Sequence, residues 1–354
     1  MSEIKRSVSL YSYQDEYYNG TLDLEGCLRE TSKAGATGVE LLAESMIKQF
    51  PNPIYTEEFQ AQWKGWLAKY NLTPTCYDAF LENHIYVNRT LSLGEQVEMM
   101  CRDLKCASIL GFSCIRTLVS TPIDVIEGSL EYAEKVGVKI GLEVHAPFSL
   151  NSTWAQGYLD RLDKPGSKYK YFGFIPDMGI FCRRIPDVVE EKWRRQGAKE
   201  ECIKLINDAY AGRVEKGFVK IEYSLDLGFA NMNYRNANGL SDLTAKLEKM
   251  GAGPADFGYL GSSYTYSWSD PKDLIDNIGH IIHTHAKCYN THEDYVETAT
   301  AIPEVVAAYK KAGYDGYLST EYEGGESLRD ALPVDGIEQV RRHQEALRRA
   351  IEEA

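Results

Sequence analysis

A (β/α)8 TIM barrel with a long insertion between strands 6 and 7 is the fold this chain predicts, and two observations predict it. Short apolar runs alternate with amphipathic helical patterns along 354 residues. Glycines stand just past several of those helical patterns, where a left-handed cap is expected, a few residues ahead of the next apolar run. Strict alternation of this kind favours a parallel sheet closed into a barrel, and the length suits one such barrel with insertions, so residues 1–354 are read as a single domain.

In chain order, Val8–Leu10 is the first expected strand, followed by a helix over Leu24–Ser32 and Gly35. Gly38–Leu42 leads to a helix over Glu57–Tyr70, Thr73–Tyr77 to Leu93–Leu110 and Gly111, and Cys114–Thr117 to Ile123–Val136 and Gly137. Lys139–Val144 and Tyr171–Ile175 are strands five and six. His280–Thr284 precedes a helix over Ile302–Ala312 and Gly313, and Tyr317–Thr320 precedes the last helix, Gly336–Glu353. In each helical stretch apolar residues recur at spacings of three and four, the signature of one buried face.

One connection breaks the rhythm. From Phe181 to Asn277 the gap between strands is roughly three times the others, too long for an ordinary barrel loop. Within it Pro186–Tyr210 reads as a charged helix and Phe218–Tyr223 as a strand. The remainder reads as an aromatic loop carrying Phe229, Tyr234, Phe257, Tyr259, Tyr264, Tyr266 and Trp268. Residues of about 181–277 are therefore expected to hold an inserted lid or subunit-interface segment, with a satellite core packed on the barrel as the alternative.

Composition excludes several classes. A formal charge of -13 opposes a nucleic-acid partner. No apolar run approaches the roughly 20 residues that span a bilayer, and Met1–Arg6 has no signal-peptide core, so a cytoplasmic address away from membranes is expected. The eight cysteines are scattered without a Cys-x-x-Cys pair and read as small buried hydrophobes. Gly251-Ala252-Gly253 follows a helical run rather than a strand, so no NAD site is expected.

The chemistry concentrates at strand ends. Side chains alternate along a strand, so Glu143 shares a face with His145, His283 with His285, and Glu321 with Glu323. Glu143, Asp177, His285 and Glu321 are expected to close strands five to eight, and the carboxyl ends of barrel strands are where active sites lie. Carboxylates with one imidazole suit a divalent ion such as Mn2+, Mg2+ or Co2+ better than a thiolate-rich structural zinc site.

The segments Gly38-Val39-Glu40-Leu41, Leu142-Glu143-Val144-His145, Asp177-Met178-Gly179, His283-Thr284-His285-Ala286-Lys287 and Ser319-Thr320-Glu321-Tyr322-Glu323, in this order and spacing, resemble the xylose-isomerase-like barrel superfamily of sugar isomerases and epimerases. By that resemblance Glu143, Asp177, His285 and Glu321 are the metal ligands, His285 being preferred because the family ligand is the second His. Met178 stands where some members place a histidine, which leaves the sugar-binding set open. Asp177-Met178-Gly179-Ile180-Phe181, leading into Arg183-Arg184-Ile185-Pro186 and the long insertion, looks like the large, barrel-forming alpha subunit of the C-glycoside deglycosidases. That resemblance implies a lyase acting on a glycoside, a small second subunit and a higher oligomer, with Mn2+ the first choice of ion.

Both resemblances rest on one step, loss of a carbon-bound proton beside a carbonyl held by a divalent ion. An isomerase or epimerase returns that proton elsewhere through an enediolate, whereas a 3-oxo C-glycoside would expel its aglycone from C1. An unoxidised C-glycoside lacks the acidic proton, so a separate oxidoreductase must supply the ketone. His145 is the expected general acid or base, with a plain loop hydrogen bond as the alternative, and Glu143 or Glu321 are the other candidate bases. Lys287, His283, Glu323 and Arg116 are the expected substrate contacts. Glu323 is also placed to orient His283, and Glu40 reads as a supporting residue from strand two. His84, His292 and His343 carry no motif and are expected to be surface or loop residues.

Overall fold

The computed structural model describes residues 3–162, 165, 168–222 and 227–354. Its strands are β1 (Lys5–Ser9), β2 (Gly38–Leu41), β3 (Thr73–Asp78), β4 (Cys114–Thr117), β5 (Lys139–Val144), β6 (Phe172–Pro176), β7 (Thr284–Cys288) and β8 (Tyr317–Tyr322). All pair in parallel in one 8-stranded sheet, ordered β6-β5-β4-β3-β2-β1-β8-β7. Isolated parallel bridges join Phe174 to Ile281 and Asp177 to His285, which brings the two edges together and all but closes the predicted barrel.

Apolar packing separates into two compartments. Val8, Val39, Leu41, Ile115, Leu142, Val144, Phe174 and Leu318 join helix residues such as Leu28, Trp63, Leu104, Ile126, Val305 and Leu347 in the layer between sheet and helices. Cys76, Cys114 and Ile175 form a separate small cluster. These belong to the alternate face of their strands, the barrel interior. Gly141 makes room there, because a Cβ on it would stand 2.7 Å from Cγ1 of Ile175. Helix ends follow the expected chemistry: Ser92 and Glu95 form a capping box ahead of Leu93–Leu110, and Gly111 (φ 89°) and Gly137 (φ 73°) close their helices in the left-handed region.

Three expectations are corrected. β7 begins at Thr284, where the ladder to β8 starts, rather than at His280. Ile281 and Ile282 pair with β6 only through an isolated bridge and one backbone hydrogen bond, so their apolar character marks side-chain packing without regular pairing. Phe218–Glu222 is not a strand, and Tyr223 lies outside the described residues. The single charged helix is two, Asp187–Arg195 and Glu200–Lys216, broken where Gly197 takes φ 95°.

The expected aromatic loop is also largely helical, with helices at Leu227–Ala237, Leu240–Lys249, Pro254–Ser262 and Lys272–Asp276. Small residues such as Gly258 and Gly261 hid that periodicity from the sequence, yet Gly258 lets Trp193 lie against its helix and Trp193 Nε1 donate to Ser262 Oγ at 2.8 Å. Tyr234, Tyr259 and Tyr264 are buried. The buried Arg213 guanidinium stacks 4.2 Å from the Tyr264 ring centroid, beside Tyr210 and Phe218. Seven of the cysteines are buried and only Cys101 is partly exposed.

His343, read from the sequence as a surface or loop residue, is fully buried on the inner face of the last helix. Gln344 Nε2 donates to Thr320 Oγ1 at 2.8 Å, which leaves the threonine proton for His343 Nδ1, also at 2.8 Å. Burial pulls the His343 pKa down to about 3, so the folded state holds the neutral ring. A pKa depressed below the unfolded value gives stability that is complete above about 6.5 and lost as pH falls toward the folded value. Replacing His343→Gln is expected to remove about 2 kcal/mol of the stability lost between pH 7 and pH 5. Denaturant unfolding of both proteins across that range checks this; parallel pH profiles would show that His343 is not the group concerned.

Candidate metal centre and active-site cavity

Glu143, Asp177, His285 and Glu321 are brought together at the carboxyl end of the barrel. All four are buried, and one potential ligand atom from each lies within 4.8 Å of the others. Glu143 and Glu321 are the penultimate residues of β5 and β8, and Asp177 follows the last residue of β6. His285 does not close its strand: it is second in β7 and reaches the same level because β7 starts late, as its bridge to Asp177 shows. The Asp-x-Gly spacing has a local cause. Asp177 Oδ1 accepts from the Gly179 N–H at 2.6 Å, and a Cβ on Gly179 would stand 2.8 Å from that oxygen.

Charge is crowded here. His285 Nδ1 lies 2.9 Å from Glu143 Oε1 and 3.0 Å from Glu321 Oε2. Lys287 Nζ lies 2.9 Å from Asp177 Oδ2, 2.7 Å from Glu321 Oε2 and 2.7 Å from Glu323 Oε1. Arg116 Nε donates to Asp78 Oδ1 at 2.8 Å, and its Nη1 is 3.7 Å from Glu143 Oε2. Burial disfavours the Glu143 anion, but Arg116 and His285 outweigh it and hold its pKa at about 2. For Asp177 burial wins over Lys287 and His145, and the pKa rises to about 6. Burial works against protonated Lys287 and His285, yet the surrounding carboxylates hold both pKa values well above normal.

This donor set fits a divalent cation. The buried carboxyls of Glu40, Asp78, Glu143, Asp177 and Glu321 outnumber the permanently cationic Arg116 and Lys287. Asp177 Oδ2 and Glu321 Oε2, although within ion-pair reach of Lys287, make no directed hydrogen bond. Oxygens buried in that state are what a cation would satisfy, and three carboxylates with one imidazole suit an ion of hard or borderline character.

Beside the cluster lies a cavity of about 320 Å³. Arg116, Glu143, His145, Lys287, Glu321 and Glu323 supply the charged part of its lining, and Tyr11, Phe80, Leu118 and Val119 the apolar and aromatic part. His145 Nδ1 donates to the Ala146 carbonyl at 2.7 Å, the loop bond expected as an alternative, and this leaves Nε2 as the basic nitrogen of the neutral ring. Burial works against its protonated form, but Asp177 raises the pKa above normal.

His283 departs from expectation. It is absent from the cavity wall, and its Nε2 pairs with Glu40 at 2.7 Å while Glu323 serves Lys287 instead. The apolar wall and Asp78 were missed. Asp78 is the last residue of β3, so extending the expected strand by one residue would have found it at an active-site position.

In fold, the chain aligns with a solved structure of IOLI protein with a binding zinc atom at TM-score 0.53 and 11% identity, covering 99% of each chain. A sugar phosphate isomerase/epimerase from Parabacteroides distasonis aligns at TM-score 0.53 and 11% identity, over 99% of this chain and 96% of that one. These two likenesses are likenesses of fold, an eight-stranded parallel β/α barrel. No family model matches the chain. In sequence it is similar to C-glycoside deglycosidase alpha subunits: 27% identical over 323 residues to one from Arthrobacter globiformis, covering 90% of this chain and 84% of that one. A second from the same bacterium is 26% identical over 356 residues, covering 100% and 94%. A 3'-dehydrocarminate deglycosidase alpha subunit from Microbacterium sp is 25% identical over 319 residues, covering 90% and 87%.

Arg116 generates a stability test. Removing its charge leaves Asp78 and Glu143 buried without the cation they share, so Arg116→Met is expected to cost about 3–5 kcal/mol. Pairing it with Asp78→Leu should recover much of that loss, as read by denaturant unfolding.

Proposed function

We propose that this chain is the catalytic subunit of a metal-dependent carbon–carbon lyase that cleaves 3-oxo C-glycosides. The observation that carries this reading is the mixed lining of the cavity, where a histidine and members of the carboxylate cluster share one space with Tyr11, Phe80, Leu118 and Val119. The likeness to deglycosidase alpha subunits supports it, and one relative's name places an oxidised 3' position in its substrate.

Glu143, Asp177, His285 and Glu321 would hold a divalent ion, with Mn2+ the preferred metal. Such an ion supplies an electrophile for the sugar's carbonyl and neighbouring hydroxyl oxygens, which acidifies the C2 proton. His145 Nε2 accepts that proton. The C2–H electron pair becomes the C1–C2 double bond as the C1–aglycone bond breaks, and the departing pair takes a proton on the aglycone's ring carbon, returned from His145 Nε2, which leaves the histidine neutral again. The sugar product is an α,β-unsaturated ketone. Lys287, held as an ammonium by its carboxylate neighbours, faces the negative charge that develops on oxygen, and Arg116 and Glu323 hold sugar hydroxyls. Phe80, Leu118 and Val119 receive the aglycone. The residues of about 181–277 form a lid or subunit interface at the mouth, tied down where Tyr266 packs edge-on against Tyr289 with centroids 5.3 Å apart; the relatives' status as alpha subunits supports a small second subunit.

Purified protein is expected to carry near-stoichiometric Mn2+ or a similar ion by elemental analysis, and Asp177→Ala to lose it. Full occupancy in the Glu143→Ala and Glu321→Ala variants would overturn the ligand set. His145→Ala should keep the metal and slow turnover about 100-fold or more. Chromatography of reactions with oxidised C-glycosides, unoxidised C-glycosides and free ketoses should show aglycone release from the oxidised compound alone. Interconversion of ketoses without aglycone release would replace this reading with a sugar isomerase or epimerase. Hydrogen exchange with and without a co-purifying partner should protect part of Phe181–Asn277, and no protection anywhere in it would make the segment a structural appendage.

A further inference from the structure

We propose that Glu40 is a positioning residue that clamps both histidines of His283-Thr284-His285 and reserves the Nδ1 nitrogen of His285 for a divalent ion. The inference rests on the metal reading above and adds to it a residue outside the ligand set.

Glu40 sits on β2 and the histidines on or beside β7, strands that are separated in the sheet by β1 and β8. Its side chain therefore reaches across the barrel interior instead of to a neighbour. The carboxylate is fully buried and divides its oxygens: Oε2 pairs with His283 Nε2 at 2.7 Å, and Oε1 lies 3.0 Å from His285 Nε2. At that distance Oε1 and His285 Nε2 are within ion-pair reach but make no directed hydrogen bond, with each other or with any other group. The two rings stand nearly perpendicular, 87° between planes with centroids 6.0 Å apart, so one carboxylate meets both without the rings stacking.

His285 has its carboxylates on opposite edges. Nδ1 faces Glu143 and Glu321, members of the proposed ligand set, while Nε2 faces Glu40. An imidazole that offers Nδ1 to a cation keeps its proton on Nε2, and that proton needs an acceptor. Glu40 is placed to accept it, which would fix the tautomer, stop the ring turning over and make Nδ1 a stronger donor. Glu40 also explains why His283 lies off the cavity wall: His283 holds the other oxygen and so fixes the rotation of the carboxylate.

The test compares wild type, Glu40→Gln and Glu40→Ala for Mn2+ affinity by equilibrium dialysis, with thermal unfolding of each metal-stripped protein as the control for fold. Glu40→Gln keeps the shape and removes the charge, and is expected to weaken Mn2+ binding about 10–100-fold while the stripped proteins unfold alike. Glu40→Ala should bind no more tightly than Glu40→Gln. Nitrogen-15 spectra of histidine-labelled wild-type protein loaded with Zn2+ supply a readout that needs no variant to fold: His285 should be protonated on Nε2 and shifted by the metal at Nδ1. Wild-type protein that binds no ion overturns the metal reading and this inference with it. Wild-type affinity in Glu40→Gln, or metal at Nε2 of His285, overturns the role of Glu40 alone and leaves the metal reading standing.

Discussion

Carboxylates that leave water must be matched, atom by atom, by charge or by hydrogen bonds, and this requirement organises the mouth of the barrel. Glu40, Asp78, Glu143, Asp177 and Glu321 are all buried. Arg116 answers Asp78 and Glu143, Lys287 answers Asp177, Glu321 and Glu323, and His285 stands among Glu40, Glu143 and Glu321. An interior filled only by aliphatic side chains would be cheaper to fold. Such a concentration of charge is the arrangement expected where groups must act on a substrate, since perturbed ionisation gathers at functional sites.

The barrel supports this arrangement through parity. Alternate strand residues supply the apolar layer under the helices, while their neighbours point inward, small and apolar at Cys76, Cys114 and Ile175, then ionisable one step further along. The small cluster closes the floor, and Gly141 gives Ile175 its space. A shift of one residue in any strand would exchange the two faces, which is why the sequence motifs and the strand register carry the same information.

That parity is also why much of the site was legible before any coordinates. Glu143, Asp177, His285 and Glu321 follow from strand alternation and strand ends, and the helix-capping Gly111 and Gly137 from the periodicity that precedes them. What was not legible depends on contacts across the barrel. Nothing local in the chain couples Glu40 to His283, or assigns Glu323 to Lys287 instead of to His283, because each pairing depends on how the closed sheet is curved. The segment between β6 and β7 failed for a different reason: Gly258 and Gly261 sit inside one helix, Pro254–Ser262, against which Trp193 packs, so tertiary packing overrides a composition that reads as loop. His343 lies three residues after Val340 and four before Leu347, on the buried stripe of its helix, so position pointed inward and only the polar residue type pointed outward.

The cavity joins these two kinds of information. Its polar lining is built largely from strand ends, where Arg116, Glu143, Lys287, Glu321 and Glu323 each lie against an oppositely charged neighbour and His145 is held by the Ala146 carbonyl. Its apolar side comes largely from the segments that follow strands: Phe80 after β3, Leu118 and Val119 after β4, Tyr11 after β1. Phe80 is itself stacked on Arg116, with the guanidinium carbon 4.7 Å from its ring centroid, so the wall rests on the same cation that neutralises Asp78. Loops can change without disturbing the barrel, whereas strand-end carboxylates cannot be moved without stranding a charge. Under the proposed function, this division gives the bond-breaking chemistry to the part of the fold that tolerates least variation, and the choice of the group to be released to the part that tolerates most.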